Sequence, residues 1–225
     1  MKWLDFNSEK VLLDSLLSNI ESFINNDIAL NGGASILLSG GSTPLALYKR
    51  FKELAIKWEK VKIGLVDDRY VPATDKDSNY CNIKKALGDD IVSKAFFSPL
   101  VVNLTNQNQN LLLSNKANAD FLYAKTLVLL GMGTDGHTAS LFPNTASLLE
   151  GLQNKKPQLL ISSAPVNPIK RITHNRASIL LANHLILYIK GDEKKRVFDN
   201  AHNLKTPISL FTNQKNPVLN IYWTK

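Results

Sequence analysis

The chain has a single cysteine, Cys81, among 225 residues. One thiol closes no intrachain bridge, so a disulfide-framed secreted domain is excluded, and a chain of this length buries enough apolar surface to need no such staple. Long hydrophobic runs are also missing. The longest near-apolar stretch, Ile179 to Ile189, is interrupted by Asn183 and His184 and is too short to span a bilayer. The first residues carry Asp5, Glu9 and Asp14 among apolar neighbours, which is not the pattern of a signal peptide. No repeat and no clear linker divides the chain, so residues 1–225 are read as one domain. No pair of histidines has metal-ligand spacing and Cys81 has no neighbouring cysteine, so a zinc site is not expected. These absences describe a soluble, reduced, cytoplasmic protein.

What the chain has in excess is positive charge. Lysine and arginine number 27 against 19 acidic residues, a net charge of +8. Such a surplus suits anionic partners. The lysines fall in scattered twos and threes, with no basic stripe interleaved with aromatics, so nucleic acid is not the expected partner and a small anionic substrate is.

Apolar residues at Leu12, Leu13, Leu16, Leu17, Ile20, Phe23 and Ile24 have helical spacing, with Ser8 or Asn7 as the cap. From there strand and helix alternate. Strands are expected at Ser35–Leu38, Val61–Val66, Thr126–Leu130, Leu159–Ser162, Leu185–Ile189 and Val218–Trp223. Helices are expected from Pro44 through Leu54, over Ser78–Leu87 and over Asp192–Asn203, while the Asn/Gln-rich stretch Asn103–Asn110 reads as an exposed loop. The pattern predicts an α/β fold with a largely parallel central sheet flanked by helices on both faces. Ligands in such folds bind beyond the carboxyl ends of the strands, which singles out the loops after Leu38, Val66 and Leu130.

The first loop, Ser39-Gly40-Gly41-Ser42-Thr43-Pro44, joins a strand to a helix start. Gly40 and Gly41 let the backbone approach a ligand, and Ser42 and Thr43 either cap the helix or donate to an anion. The same loop echoes the serine-hydrolase elbow G-x-S-x-G, although Pro44 takes the place of the second glycine. The second loop, Asp67-Asp68-Arg69, offers two carboxylates and a guanidinium at a strand end. The third, Gly131 to Pro143, opens with G-x-G-x-x-G. A dinucleotide site needs a long helix behind the third glycine, and Pro143 stops any helix within two turns, so no nicotinamide cofactor is expected. What stands in this loop instead is His137, two residues after Asp135, a side chain suited to general acid–base work. Of the remaining histidines, His174, His184 and His202 read as structural or exposed. Arg171 and Lys194, the latter at a helix start, complete a candidate anion site.

Taken together and in this order, Ser39 to Pro44, Val66 to Pro72, Ser78-Asn79, Leu130 to Pro143, Arg171-Ile172-Thr173 and Gly191 to Lys194 resemble the glucosamine-6-phosphate isomerase/6-phosphogluconolactonase family. The deaminases of that family carry Asn-Glu-Pro where this chain has Ser140-Leu141-Phe142-Pro143, so the resemblance is to the lactonases. It implies a Rossmann-like, glucosamine-6-phosphate deaminase-like fold and metal-independent hydrolysis of 6-phosphogluconolactone to 6-phosphogluconate in the oxidative pentose phosphate pathway, without cofactor. It makes His137 the base that activates water, and Asp135 and Asp67 groups that orient the site or bind sugar hydroxyls. Gly40, Gly41, Ser42 and Thr43, with Arg171 and Lys194, would cradle the 6-phosphate, and Arg69 would bind substrate or developing charge. The implied partner is a phosphorylated sugar lactone, bound by a monomer or a homodimer, with neither nucleic acid nor membrane. The family usually has Asp-Glu-Arg where this chain has Asp67-Asp68-Arg69, which leaves open what the shorter middle acid does.

Overall fold

A segment such as Lys125–Leu130 (KTLVLL) has no polar face, and it forms a stable strand only when covered on both sides. The computed structural model, which describes residues 1–225, meets that demand with two sheets. The strands are β1 (Lys2–Phe6), β2 (Ala34–Leu38), β3 (Val61–Leu65), β4 (Asp67–Arg69), β5 (Phe96–Phe97), β6 (Lys125–Leu130), β7 (Leu159–Ser163), β8 (Lys170–His174), β9 (Ala182–Lys190) and β10 (Leu219–Thr224). The helices are α1 (Glu9–Asn31), α2 (Ser42–Tyr48), α3 (Asn79–Leu87), α4 (Asp89–Val92), α5 (Gln107–Ala117), α6 (Ala119–Leu122), α7 (Ala146–Gln153), α8 (Arg176–Ile179) and α9 (Asp192–Asp199).

Seven strands form a fully parallel sheet in the order β1-β10-β9-β6-β2-β3-β5. Alternate residues of one strand feed opposite cores: Leu127 and Leu129 pack with Leu12, Leu16 and Ile20 of α1, whereas Val128 and Leu130 pack with Phe198 of α9 and with Ile208 and Phe211. Helices therefore cover both faces, as the alternation predicted. Helix α1 begins where expected, with the Ser8 hydroxyl accepting from the Val11 N–H, and ends at Gly32 in the left-handed conformation. No helix is long and apolar enough to cross a membrane.

The structure departs from the sequence reading in four places. Leu159–Ser162 is a strand, but it belongs to a second, antiparallel sheet in the order β4-β8-β7. Pro44 is the third residue of α2 rather than the first, and the chain leaves the helix after Tyr48; Phe51–Glu53 makes a separate 3-10 turn that buries Phe51 against Tyr48 and Trp58. Helix α9 stops at Asp199 instead of Asn203. The Asn/Gln-rich stretch is not an exposed loop throughout. Asn106 caps α5, and Asn110 is fully buried, its Oδ1 accepting from the N–H groups of Val102 and Asn103 while its Nδ2 donates to the Leu100 carbonyl. These amides satisfy backbone groups of an irregular segment that lacks ladder partners.

Lys125, at the start of β6, is 1% exposed. Its Nζ donates to the Tyr123 carbonyl at 2.6 Å and has no carboxylate in ion-pair range. Burial pulls its ammonium from the ordinary 10.5 down to about 7. Between those values the unfolded chain holds the proton and the folded chain has released it, so stability rises with pH over that window and is lost as pH falls through about 7. Lys125→Met, which keeps the apolar stem, is expected to unfold in urea about 1–3 kcal/mol later than the parent below about pH 7. The gap should narrow as pH rises toward 10.5; a gap that does not change with pH would contradict this account.

Candidate active site

Strand β2 pairs with β3 on one side and with β6 on the other, so the chain order switches direction at β2. The crevice such a switch opens lies at the carboxyl ends of the strands, and four loops converge on it: Ser39–Thr43 after β2, Val66-Asp67 after β3, Gly131–Phe142 after β6 and Gly191–Lys194 after β9. They enclose a cavity of about 300 Å³. Nine of the expected site residues line it: Gly40, Gly41, Ser42, Thr43, Asp67, Arg69, His137, Arg171 and Lys194.

Asp135 is the exception. It stands behind His137, outside the cavity lining, with its Oδ1 2.5 Å from the imidazole Nδ1 and accepting from the His137 backbone N–H at 3.1 Å, a placement suited to orienting the ring. Burial works to raise this carboxyl, but the hydrogen bonds from His137 outweigh it and hold it below the usual carboxylate value. A carboxylate only accepts, so Nδ1 carries the proton and Nε2 is left with a free lone pair and no protein partner. The ring lies so close over Gly133 that any Cβ there would clash with it. The turn 138–141 then brings Phe142 back against the imidazole, ring centroids 4.5 Å apart.

Asp67 is 8% exposed, and its Oδ2 accepts from Ser140 Oγ at 2.5 Å. Asp68, 2% exposed, does not reach the cavity. Its carboxylate accepts from the N–H groups of Arg69, Asn79 and Tyr80 and from Ser78 Oγ, at 2.6–3.1 Å, which caps the amino end of α3. Burial pushes this carboxyl up to about 6, with the backbone N–H bonds working against it. Helix α3 in turn presents Asn79, whose Nδ2 donates to the Asp67 carbonyl and whose amide fills the space beside Gly40 where a Cβ would stand. Gly40 is glycine because that amide is there.

The cations arrive from both sheets. Register pairs Arg69 of β4 with Arg171 of β8. Arg69 Nη1 donates to the Asp77 carbonyl at 2.7 Å. Arg171 is 5% exposed, its Nε has no partner, and it belongs to no ion pair. Burial and then the nearby Arg69 lower its pKa, while Asp67, Asp68 and Asp77 work the other way. Lys194 is half-buried, and burial lowers its pKa too, against the pull of Glu193. Two buried or half-buried cations without counter-ions, beside the amino end of α2, make a site in want of an anion.

Ser42 is exposed, and no base is hydrogen-bonded to its hydroxyl, so the elbow reading has no activated nucleophile. The other histidines are structural: His174 is fully buried with Nδ1 2.8 Å from Ser178 Oγ, His184 stacks on Phe23, and His202 Nε2 is 2.8 Å from Thr212 Oγ1. No group of three His, Cys, Asp or Glu side chains is placed to hold a metal ion. Sequence reasoning missed Asn79, Ser140 and Phe142 as parts of the site, because each acts through a neighbour remote in sequence or through its packing.

A phosphate-ready loop, strand-end acids and a carboxylate-oriented histidine in one crevice define an enzyme acting on sugar phosphates. The chain belongs to the family of glucosamine-6-phosphate isomerases and 6-phosphogluconolactonases, whose model matches residues 7–223. Within it, the chain is 32% identical over 223 residues to a 6-phosphogluconolactonase of Rhizobium meliloti (strain 1021), covering 97% of this chain and 96% of that one. A crystal structure of a 6-phosphogluconolactonase from Shewanella baltica superposes with a TM-score of 0.91 at 28% identity, covering 100% and 98% of the two chains. A monomeric glucosamine-6-phosphate deaminase shares the fold, with a TM-score of 0.80 at 15% identity over 100% of this chain and 98% of that one.

The capping network carries a test. Asp68→Asn puts an amide N–H₂ against backbone donors and is expected to lose about 2 kcal/mol of stability in denaturant unfolding. Gly40→Ala forces the Asn79 amide out of place and is expected to weaken ligand binding in calorimetry by about tenfold or more. Unaltered binding by Gly40→Ala would show that the loop does not depend on Asn79.

Proposed function

We propose that this protein hydrolyses 6-phosphogluconolactone to 6-phosphogluconate, with His137 as the base that activates water. The observation that carries the mechanism is the Asp135–His137 pair: Nδ1 is committed to the carboxylate at 2.5 Å, and Nε2 is unpartnered on a ring that lines the cavity. A water between Nε2 and the lactone gives its proton to the imidazole as its oxygen bonds to the carbonyl carbon. The carbonyl electrons move onto oxygen, and Arg69, the cation not engaged with the phosphate, makes that charge less costly. When the tetrahedral intermediate collapses, the bond to the ring oxygen breaks, and the imidazolium returns its proton to the departing hydroxyl. Asp135 steadies the imidazolium while it exists.

Binding is shared among the other groups. The Gly40–Thr43 backbone and hydroxyls, with Arg171 and Lys194, receive the 6-phosphate. Arg69 offers a further cation to substrate oxygens, and Asp67, pinned by Ser140, accepts from a sugar hydroxyl. Each role fits a residue that lines the cavity. The deaminase reading is disfavoured because Ser140-Leu141-Phe142-Pro143, which stands where the deaminases carry Asn-Glu-Pro, holds no glutamate.

The test is acid release from freshly generated lactone, above its spontaneous hydrolysis. The parent is expected to be fast with a chelator present, and His137→Ala slower by about 10²–10⁴-fold, the range for loss of a general base. Asp135→Asn should lower kcat with little change in KM, because it disturbs the tautomer and not the binding groups. Equal rates for parent and His137→Ala would remove His137 from the chemistry; no acceleration by the parent would remove the activity itself.

A further inference from the structure

Arg171 presents a physical problem that the catalytic account leaves unsolved. A guanidinium that is 5% exposed is normally paired, yet none of its side-chain donors has a protein acceptor and no carboxylate lies within ion-pair range. What it stands over is a ring: its Cζ is 6.0 Å from the centroid of Phe142, whose ring also packs on His137 with centroids 4.5 Å apart. Phe142 is itself 5% exposed and lines the cavity. Its location is no accident of local helix or strand, because Ala139 adopts a left-handed conformation (φ 53°) and the Thr138–Leu141 bridge closes a tight turn that delivers the ring to this place.

We propose that Phe142 is a specificity-determining residue, whose ring steadies the Arg171 guanidinium without neutralising it and thereby reserves that cation for an anionic oxygen of the ligand. The physics is that of a quadrupole: the negative face attracts the cation, but an aromatic ring accepts no strong N–H···O bond, so the donor fork remains available. A carboxylate of similar reach would form a bidentate pair with Arg171 and consume the fork. An aliphatic side chain would leave the buried cation only the charges of Asp67, Asp68 and Asp77, none within ion-pair range, and free to turn away from the cavity. Phe142 thus separates two groups that must not share a counter-ion, the cation that binds and the imidazole that accepts a proton.

The inference rests on the assignment of an anionic sugar phosphate as ligand, but its test does not need turnover. Binding of 6-phosphogluconate and of inorganic phosphate is measured by calorimetry for the parent and for Phe142→Tyr, Phe142→Leu and Phe142→Glu, with thermal melts to confirm folding. Phe142→Tyr keeps the ring face and is expected to bind within about twofold of the parent; Phe142→Leu should bind about tenfold more weakly, and Phe142→Glu more weakly still. In the lactonase assay Phe142→Leu should raise KM by about the factor by which it weakens phosphate binding, which a merely structural loss would not produce. Binding by Phe142→Leu equal to the parent would overturn the proposal, as would Phe142→Glu binding as well as Phe142→Leu. If Phe142→Glu does not fold, the Tyr and Leu variants decide the matter. A parent that binds 6-phosphogluconate but does not hydrolyse the lactone would defeat the catalytic assignment and leave this one standing.

Discussion

The site depends on one buried carboxylate that never touches it. Asp68 gathers three backbone N–H groups and a hydroxyl around itself, and in doing so fixes the amino end of α3 to the end of β4. One wall of the crevice follows from that junction: α3 sets Asn79, Asn79 ties to the Asp67 backbone and packs on Gly40, and the Gly40 loop takes its course around that amide. A longer acid would have to fold back to make the same four bonds, which gives the short Asp its local sense. The burial that raises its carboxyl is offset by the donors it collects.

The molecule treats its buried cations in two ways. Lys125, buried beside a second pocket at the amino end of the central sheet, has one carbonyl for company, and burial pulls its ammonium down to about 7. Arg171, equally short of carboxylate partners, opens onto a cavity and leans on an aromatic face. A lysine solves isolation by releasing a proton, whereas an arginine cannot, so it must find an anion. The difference in side-chain chemistry marks which of the two positions belongs to a ligand.

Much of this was legible in the chain itself. The parallel sheet showed in all-apolar segments such as Thr126–Leu130, and the three site loops showed because strand ends are where such folds bind ligands. The second sheet was not legible: β8 (Lys-Arg-Ile-Thr-His) is short and basic, and only its pairing with β4 gives it a strand's identity. Asn110 was misread because an asparagine that serves backbone groups looks, in composition, like one in a loose loop. Phe142 was quoted as part of a motif, but its contact with Arg171 spans 29 positions and exists only in three dimensions.

His137 and the Gly40–Thr43 loop ride on the central sheet, while Asp67, Arg69 and Arg171 ride on the small one. The two sheets meet at Val66, whose N–H donates to Leu38 and whose carbonyl accepts from His174. The crevice is therefore a seam between two sheets, closed further by Ser140, whose N–H donates to Thr173 Oγ1 and whose hydroxyl donates to Asp67, and by the core that Leu159 and Ile172 share with the central sheet. A displacement of the small sheet would move Asp67, Arg69 and Arg171 as one group, whereas Asp135 and His137, two residues apart in one loop, would keep their contact.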